Sequence, residues 1–212
     1  MKYAALRRQM VQQEVIDKGI VDQKVINAML KVPRHLFVDG ALTHKAYTAS
    51  SLPIGFGQTI SHPTTVALMS RALQISDNES VLEIGTGSGY QAAVLCEMGA
   101  KVFTVERLED LANRARNLFE QMGYYSIAVR SGDGSLGWSA HAPFDRIIVT
   151  AAAPSVPKSL LQQLKEGGRL VIPVGGDDKQ ALLTVTRQGD ELTILEEYQR
   201  TFVPLRGREG WK

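Results

Sequence analysis

The chain has 212 residues and a mass of 23.2 kDa, enough for one domain with a modest appendage. A net charge of +2 is too small to form an electrostatic footprint for nucleic acid, and a single cysteine, Cys96, excludes an intramolecular disulfide and a cysteine-rich metal site. The four histidines lack the paired helical spacing of a zinc site, no run approaches the ~18 apolar residues of a membrane span, and the N-terminus lacks a secretory core, so a cytoplasmic protein without a membrane partner is expected.

Residues 3–18 carry Leu6, Met10, Val11, Val15 and Ile16 near helical spacing, and Gly19 stops the helix. Asp22 caps a second helix through Val25, Ile26, Met29 and Leu30, ended by Pro33. Residues 40–63 hold Gly40, Pro53, Gly55, Gly57 and Pro63 among Ser and Thr, and read as a long irregular connection. Loops beyond ~12–15 residues are usually functional or disordered. Here Leu52, Ile54, Phe56 and Ile60 argue for an ordered, packed one.

Beyond residue 63 the chain alternates regularly. It runs helix 64–74, strand 81–84, helix through Ala92 to Met98, strand 102–105, helix 108–122, strands 126–130 and 146–149, helix 158–165 and strand 169–174. Such alternation predicts a doubly wound, Rossmann-like α/β fold with a mostly parallel sheet. Ala181–Arg187 and Leu192–Phe202 around Gln188-Gly189-Asp190 predict an antiparallel edge hairpin. The expected organisation is one domain over 1–212: a helical extension and loop (1–63), a core (64–178), and a hairpin with a tail (179–212).

The strongest local signal is Val81-Leu82-Glu83-Ile84-Gly85-Thr86-Gly87-Ser88-Gly89-Tyr90, a strand running into three alternating glycines before a helix. Glycine there permits a tight turn and close ligand approach. The dinucleotide fingerprint places its third glycine one position later, where Tyr90 stands, which argues against a pyrophosphate. Glu106 comes 21 positions after Gly85 and closes the second strand, where an acid accepts both ribose hydroxyls. Asp133, between Gly132 and Gly134 after the third strand, is placed to accept from an exocyclic amine such as that of adenine. Alone, Glu106 is as readily a solvated strand-end acid and Asp133 a turn residue bonding its own backbone. In order and at this spacing, the three describe an adenosine site with no required phosphate.

These residues resemble the class I S-adenosylmethionine-dependent methyltransferases. Gly85–Gly89 matches their first motif, Glu106 their ribose acid, Pro143–Val149 their fourth-strand motif and Leu164–Leu170 their fifth. A narrower resemblance is carried by Gly57-Gln58-Thr59-Ile60-Ser61 with Pro63, by Val32-Pro33-Arg34 with Phe37-Val38, by Val149–Pro154 and by Phe202-Val203-Pro204-Leu205. It is to the protein-L-isoaspartate O-methyltransferase family and spans about Arg8 to Leu205. The resemblance implies S-adenosyl-L-methionine as cofactor. It also implies methyl transfer to the free α-carboxylate of isoaspartyl residues in damaged proteins and peptides, which begins their repair.

It further implies cofactor contacts at Thr59, Ile60, Ser61, Glu83, Gly85, Thr86, Gly87, Ser88, Gly89, Glu106, Asp133 and Gly134. Substrate contacts are implied at Ile60, His62 and Val203, with no metal, no nucleic acid and a monomer expected. A carboxylate is already ionised at pH 7, so the chemistry needs aim rather than a general base. Ser61 is the candidate for aiming it, although a Ser just before Pro63 and a helix is also a natural cap. Val203 fits main-chain pairing with a peptide, or a plain terminal strand.

Other readings are weaker. An amino-group nucleic-acid methyltransferase would show Asn/Asp-Pro-Pro-aromatic where this chain has Thr150-Ala151-Ala152-Ala153-Pro154, and a cytosine C5 enzyme would need a Pro-Cys nucleophile, whereas Cys96 follows Leu95. A non-enzymatic binder of altered proteins would have no use for an intact Ser61 block.

Overall fold

The computed structural model describes residues 2–176, 179–189, 191–199 and 201–212. The extension begins with α1 (Lys2–Glu14), which buries Met10 and Val11 and gives way to a short turn at Ile16–Lys18 rather than continuing to residue 18. Asp22 then accepts from the Lys24 and Val25 amides at 2.9 and 3.2 Å and starts α2 (Gln23–Lys31). Val25, Ile26, Ala28 and Met29 give α2 its buried face.

The expected irregular connection at 40–63 holds a small antiparallel hairpin, β1 (Leu52–Gly55) and β2 (Gln58–Ile60). Leu52 and Ile54 point inward while Pro53 and Gly55 face out. The glycine and serine content around these residues hides their period-2 signal.

The core is built from α3 (Pro63–Leu73), β3 (Ser80–Ile84), α4 (Tyr90–Glu97), β4 (Lys101–Glu106), α5 (Glu109–Met122), β5 (Ile127–Ser131), β6 (Phe144–Val149), α6 (Lys158–Gln163) and β7 (Leu164–Gly175). Strand β7 starts earlier than expected because Leu164 already pairs with Phe144, before an irregularity near Gly167 and Gly168. The last strands are β8 (Gln180–Gln188) and β9 (Glu191–Gln199); Asp190 of the expected turn lies outside the described residues.

The seven-stranded sheet runs β5-β4-β3-β6-β7-β8-β9, parallel up to β7 and antiparallel through β8 and β9. Alternate residues serve opposite layers. Val81, Val102, Ile148 and Val171 pack with the layer of α1 to α5, whereas Leu82, Ile84, Val105, Ile147 and Leu170 pack with Leu160 and the tail residue Leu205. Both faces are covered, as a parallel sheet requires. The chain winds outward from β3 to β5 and restarts at β6 beside β3. The crevice at the carboxyl ends of β3 and β6 is therefore the topological switch point, where open α/β sheets bind ligands.

The tail does not extend the hairpin to Phe202. The side chain of Gln180 accepts from the Phe202 amide at 2.7 Å and donates to its carbonyl at 3.2 Å, which turns the chain away. It then lies along Ala152, whose amide donates to Val203 O and whose carbonyl accepts from Leu205 N, both at 2.8 Å.

Candidate active site

A cavity of about 330 Å³ opens at this switch point. That lies within the range for small-molecule sites. Its floor is the glycine loop between β3 and α4: Gly85, Thr86, Gly87 and Ser88 all line it. Gly85 has φ +93°, and a Cβ there would collide with the Thr150 hydroxyl, which donates to Gly85 O at 2.7 Å and Ile84 O at 3.0 Å. Gly89 lies behind the floor. It has φ +90°, and its missing Cβ makes room for Phe119 of α5.

Glu106 is held ready. Its Oε2 accepts from Gly87 N at 2.9 Å and its Oε1 from Leu108 N at 3.0 Å, at the end of β4. The acid lines the cavity with only 7% of its surface exposed and keeps lone pairs for a diol.

Glu83 does not reach the cavity. It is wholly buried one layer behind, where Thr104 Oγ1 donates to its Oε2 at 2.5 Å and in turn contacts Thr86 Oγ1 at 2.6 Å. Burial pushes its carboxyl up to about 8; the Thr104 hydrogen bond opposes the rise and the Glu106 charge adds to it. Its expected cofactor contact is corrected to support of Thr86, because alternation along β3 points position 83 into the sheet.

Asp133 also departs from expectation. Gly134 lines the cavity, but the Asp133 carboxylate accepts from Ser135 N (2.9 Å), Ser135 Oγ (2.7 Å) and Arg208 N (2.8 Å). Partial burial opposes ionisation, yet the amides of Arg208 and Ser135 with the Ser135 hydroxyl hold the group below its ordinary range. The turn bonds are made and the aspartate additionally clasps the tail, and its adenine contact is carried forward as a proposal.

The opposite wall is formed by the end of β2 and the residue after it: Thr59, Ile60 and Ser61 line the cavity. The cap of α3 is not Ser61 but His62, whose Nδ1 accepts from Thr64 N at 3.2 Å. His62 Nε2 lies 3.9 Å from Glu14 of α1, and the ring is not part of the cavity wall. The ring keeps 31% of its side-chain surface exposed next to Ser61, and its substrate contact is carried forward as a proposal. Ser61 is thereby free of capping, and among the described residues nothing bonds its hydroxyl.

The third wall is the tail, with Val203, Pro204, Leu205 and Arg206. Val203 has its carbonyl engaged by Ala152, while no described residue accepts from its N–H.

Several further lining residues are not reached by sequence reasoning. Thr150 and Ala151 sit at the end of β6, a position that the strand pattern alone could flag. Gln91 lines the cavity from α4 and donates to Ser70 Oγ at 2.8 Å; a polar residue in the first turn ahead of the apolar run Ala92–Leu95 is the available signal. Arg107 and Arg206 carry no signal of their own.

The family model described as protein-L-isoaspartate(D-aspartate) O-methyltransferase matches residues 6–210. The chain belongs to this family. A protein-L-isoaspartate O-methyltransferase 2 from Geotalea uraniireducens is 51% identical over 97% of this chain and 95% of its own length. A protein-L-isoaspartate O-methyltransferase from Dictyoglomus thermophilum is 49% identical over 100% and 96%. Among solved structures, a protein-L-isoaspartate O-methyltransferase superposes with a TM-score of 0.88 at 27% identity, over 96% of this chain and 67% of that one. A Plasmodium falciparum chain solved with S-adenosyl-L-homocysteine shares the fold, with a TM-score of 0.80 at 23% identity over 97% and 99%. The protein is accordingly an S-adenosylmethionine-dependent enzyme of isoaspartyl protein repair.

Proposed function

We propose that the cavity brings an isoaspartyl carboxylate, aimed by Ser61, against the methyl donor held along the glycine loop. The observation that carries this reading is the position of Ser61: it shares one cavity with Gly85, Thr86 and Glu106, no described residue bonds its hydroxyl, and its capping duty has passed to His62. The residues fit the cofactor. Gly85 leaves the floor without a Cβ, Glu106 presents a preset pair of acceptors to a ribose, and Gly134 offers backbone beside them.

When bound, S-adenosyl-L-methionine supplies an electrophilic methyl group on a sulfonium. The chain's own residues provide aim and exclusion of water. The substrate carboxylate has an ordinary pKa near ~3.5 and arrives ionised, so no residue must take a proton. The Ser61 hydroxyl donates to one carboxylate oxygen and leaves the other directed into the cavity. Orientation of this kind is worth up to ~7–11 kcal/mol of a barrier. Buried Ile60 excludes water behind the reacting group.

The Val203 N–H, from which no described residue accepts, is a main-chain donor on the tail wall, and pairing through backbone suits an enzyme that must accept many sequences. Damaged proteins and peptides are the proposed partners, and nucleic acid is not among them. We further propose a monomer in the cytoplasm; light scattering and fractionation test these points.

The deciding experiment uses radiolabelled S-adenosylmethionine with two peptides that differ only in an isoaspartyl or aspartyl linkage. Base-labile label on the isoaspartyl peptide alone is expected. Equal label on both would refute selective aiming of the α-carboxylate.

A further inference from the structure

Arg34 lies outside the cavity, yet it touches two of its walls. Its side chain is wholly buried, and no carboxylate pairs with it among the described residues. Nε donates to Ala46 O at 2.8 Å and Nη2 to Ser61 O at 2.8 Å, with a longer contact to Ser50 O at 3.5 Å. The guanidinium carbon sits 4.8 Å from the centre of the Tyr90 ring, which packs edge-on against Phe37 at 5.6 Å. Tyr90 is the first residue of α4 and lines the cavity opposite Ser61.

Burying a cation without a counter-charge is expensive, and an ordinary tie between loops does not need one. What a guanidinium adds is a rigid planar fork that fixes separate carbonyls at set angles while stacking on an aromatic face. Here one prong fixes the peptide of Ser61, the face registers on the helix that succeeds the glycine loop, and Nε anchors both to the extension. One side chain thus joins the Ser61 wall to the helix that follows the glycine loop.

We propose that Arg34 is a positioning residue of the methyl transfer, acting through Ser61 by fixing its backbone and so the direction of its hydroxyl. This rests on the role given to Ser61 above. The fork cannot be replaced by a point charge, so Arg34→Lys keeps the cation and loses the geometry. A misplacement of about 1 Å at a reacting group costs on the order of 100-fold in rate.

The test is a double-mutant cycle with Arg34→Lys, Ser61→Ala and the double variant, read as kcat, peptide KM and affinity for S-adenosyl-L-homocysteine. Arg34→Lys is expected to lower kcat about 10- to 100-fold with product affinity unchanged, and the double variant to be no slower than Ser61→Ala. Losses that multiply in the double variant, or an unchanged kcat in Arg34→Lys, would overturn the inference while leaving Ser61 in place. A Ser61→Ala variant with full kcat would overturn the Ser61 role itself. Arg34→Gln, which keeps an amide donor pair, is the second variant, and the ligand-induced rise in Tm shows that each is folded. Loss of product affinity in step with kcat in both Arg34 variants would make the residue a general support and overturn the proposal.

Discussion

Glu83 makes a quantitative demand on stability. Its carboxyl is wholly buried and titrates near pH 8 in the fold, against 4.5 when unfolded. Between those values the folded state holds a proton that the unfolded chain has released, so stability falls as pH rises. The slope is about 1.4 kcal/mol per pH unit, which accumulates to about 3 kcal/mol at pH 7 and about 5 kcal/mol above pH 8. Below pH 4.5 the carboxyl is neutral in both states and contributes nothing further. Glu83→Gln is neutral throughout, and its amide oxygen can still accept from Thr104. Glutamine also brings an unpaired N–H₂ to a site where Oε1 already lacks a partner, but that cost does not vary with pH. The readout is therefore the slope. Urea unfolding of both proteins at pH 5, 6, 7 and 8 gives the difference in stability. The variant is expected to gain on the parent by about 1.4 kcal/mol per unit up to pH 8. Asp133, Asp145 and Glu209, whose carboxyls are held low, are common to both proteins and cancel. A flat difference between pH 5 and 8 would mean that Glu83 is already ionised in the fold, and would refute the burial argument.

Three further perturbations separate binding from architecture. Glu106→Gln removes a charge-assisted acceptor and faces an N–H₂ toward the amide of Gly87 or Leu108; affinity for S-adenosyl-L-homocysteine should fall about 10- to 100-fold by calorimetry with peptide KM unchanged. Equal losses in both would assign the acid to the fold. Gly89→Ala places a Cβ 2.6 Å from Phe119 Cζ at a φ of +90°, and thermal unfolding should show a loss of about 2–4 kcal/mol; parental stability would mean that α5 yields freely. Asp133→Ala frees Arg208 N and Ser135, so trypsin should cut after Arg206 or Arg208 faster than in the parent. Unaltered cleavage with weakened cofactor binding would return the aspartate to a direct adenine contact.

The parts of this site that are legible in the sequence are those whose chemistry is contiguous. The glycine loop and Glu106 each sit at a strand end, and local pattern fixes where a strand end points. Glu83 belongs to the same motif, yet alternation turns it inward, and taking the motif as a unit misses that parity. Ser61 and His62 both precede Pro63; propensity ranks serine first as a cap, but the helix begins at Pro63, so the residue directly before it, His62, takes the cap position. Nothing in the sequence distinguishes Arg34 from the other arginines as a buried one, because its burial depends on Ala46, Ser61 and Tyr90 meeting in space. The tail reads as strand through Phe202 in the sequence, since the clasp by Gln180 and the docking on Ala152 are long-range contacts.

The walls of the cavity differ in how they are held, and this divides their labour. The floor is backbone at the ends of β3, β4 and β6, bound into a sheet buried on both faces, so the nucleoside half of the site is as rigid as the core. The Ser61 wall is held by the β1–β2 pairing, by buried Ile60 and, at the Ser61 carbonyl, by the Arg34 guanidinium. The tail wall is fastened by polar pins: Arg208 N on Asp133, Glu209 N on Ser135 Oγ at 3.0 Å, Ser159 N and Oγ on the Glu209 carboxylate at 2.9 and 2.6 Å, and Trp211 Nε1 on Ala152 O at 3.1 Å. Each pin contributes about 1–2 kcal/mol, added to the burial of Phe202 and Leu205 and the two backbone bonds to Ala152. Two of the pins, Asp133 and Ser135, flank Gly134, which is itself cavity wall. The anchors of the tail segment that carries Val203 thus adjoin the part of the cavity wall formed by Gly134.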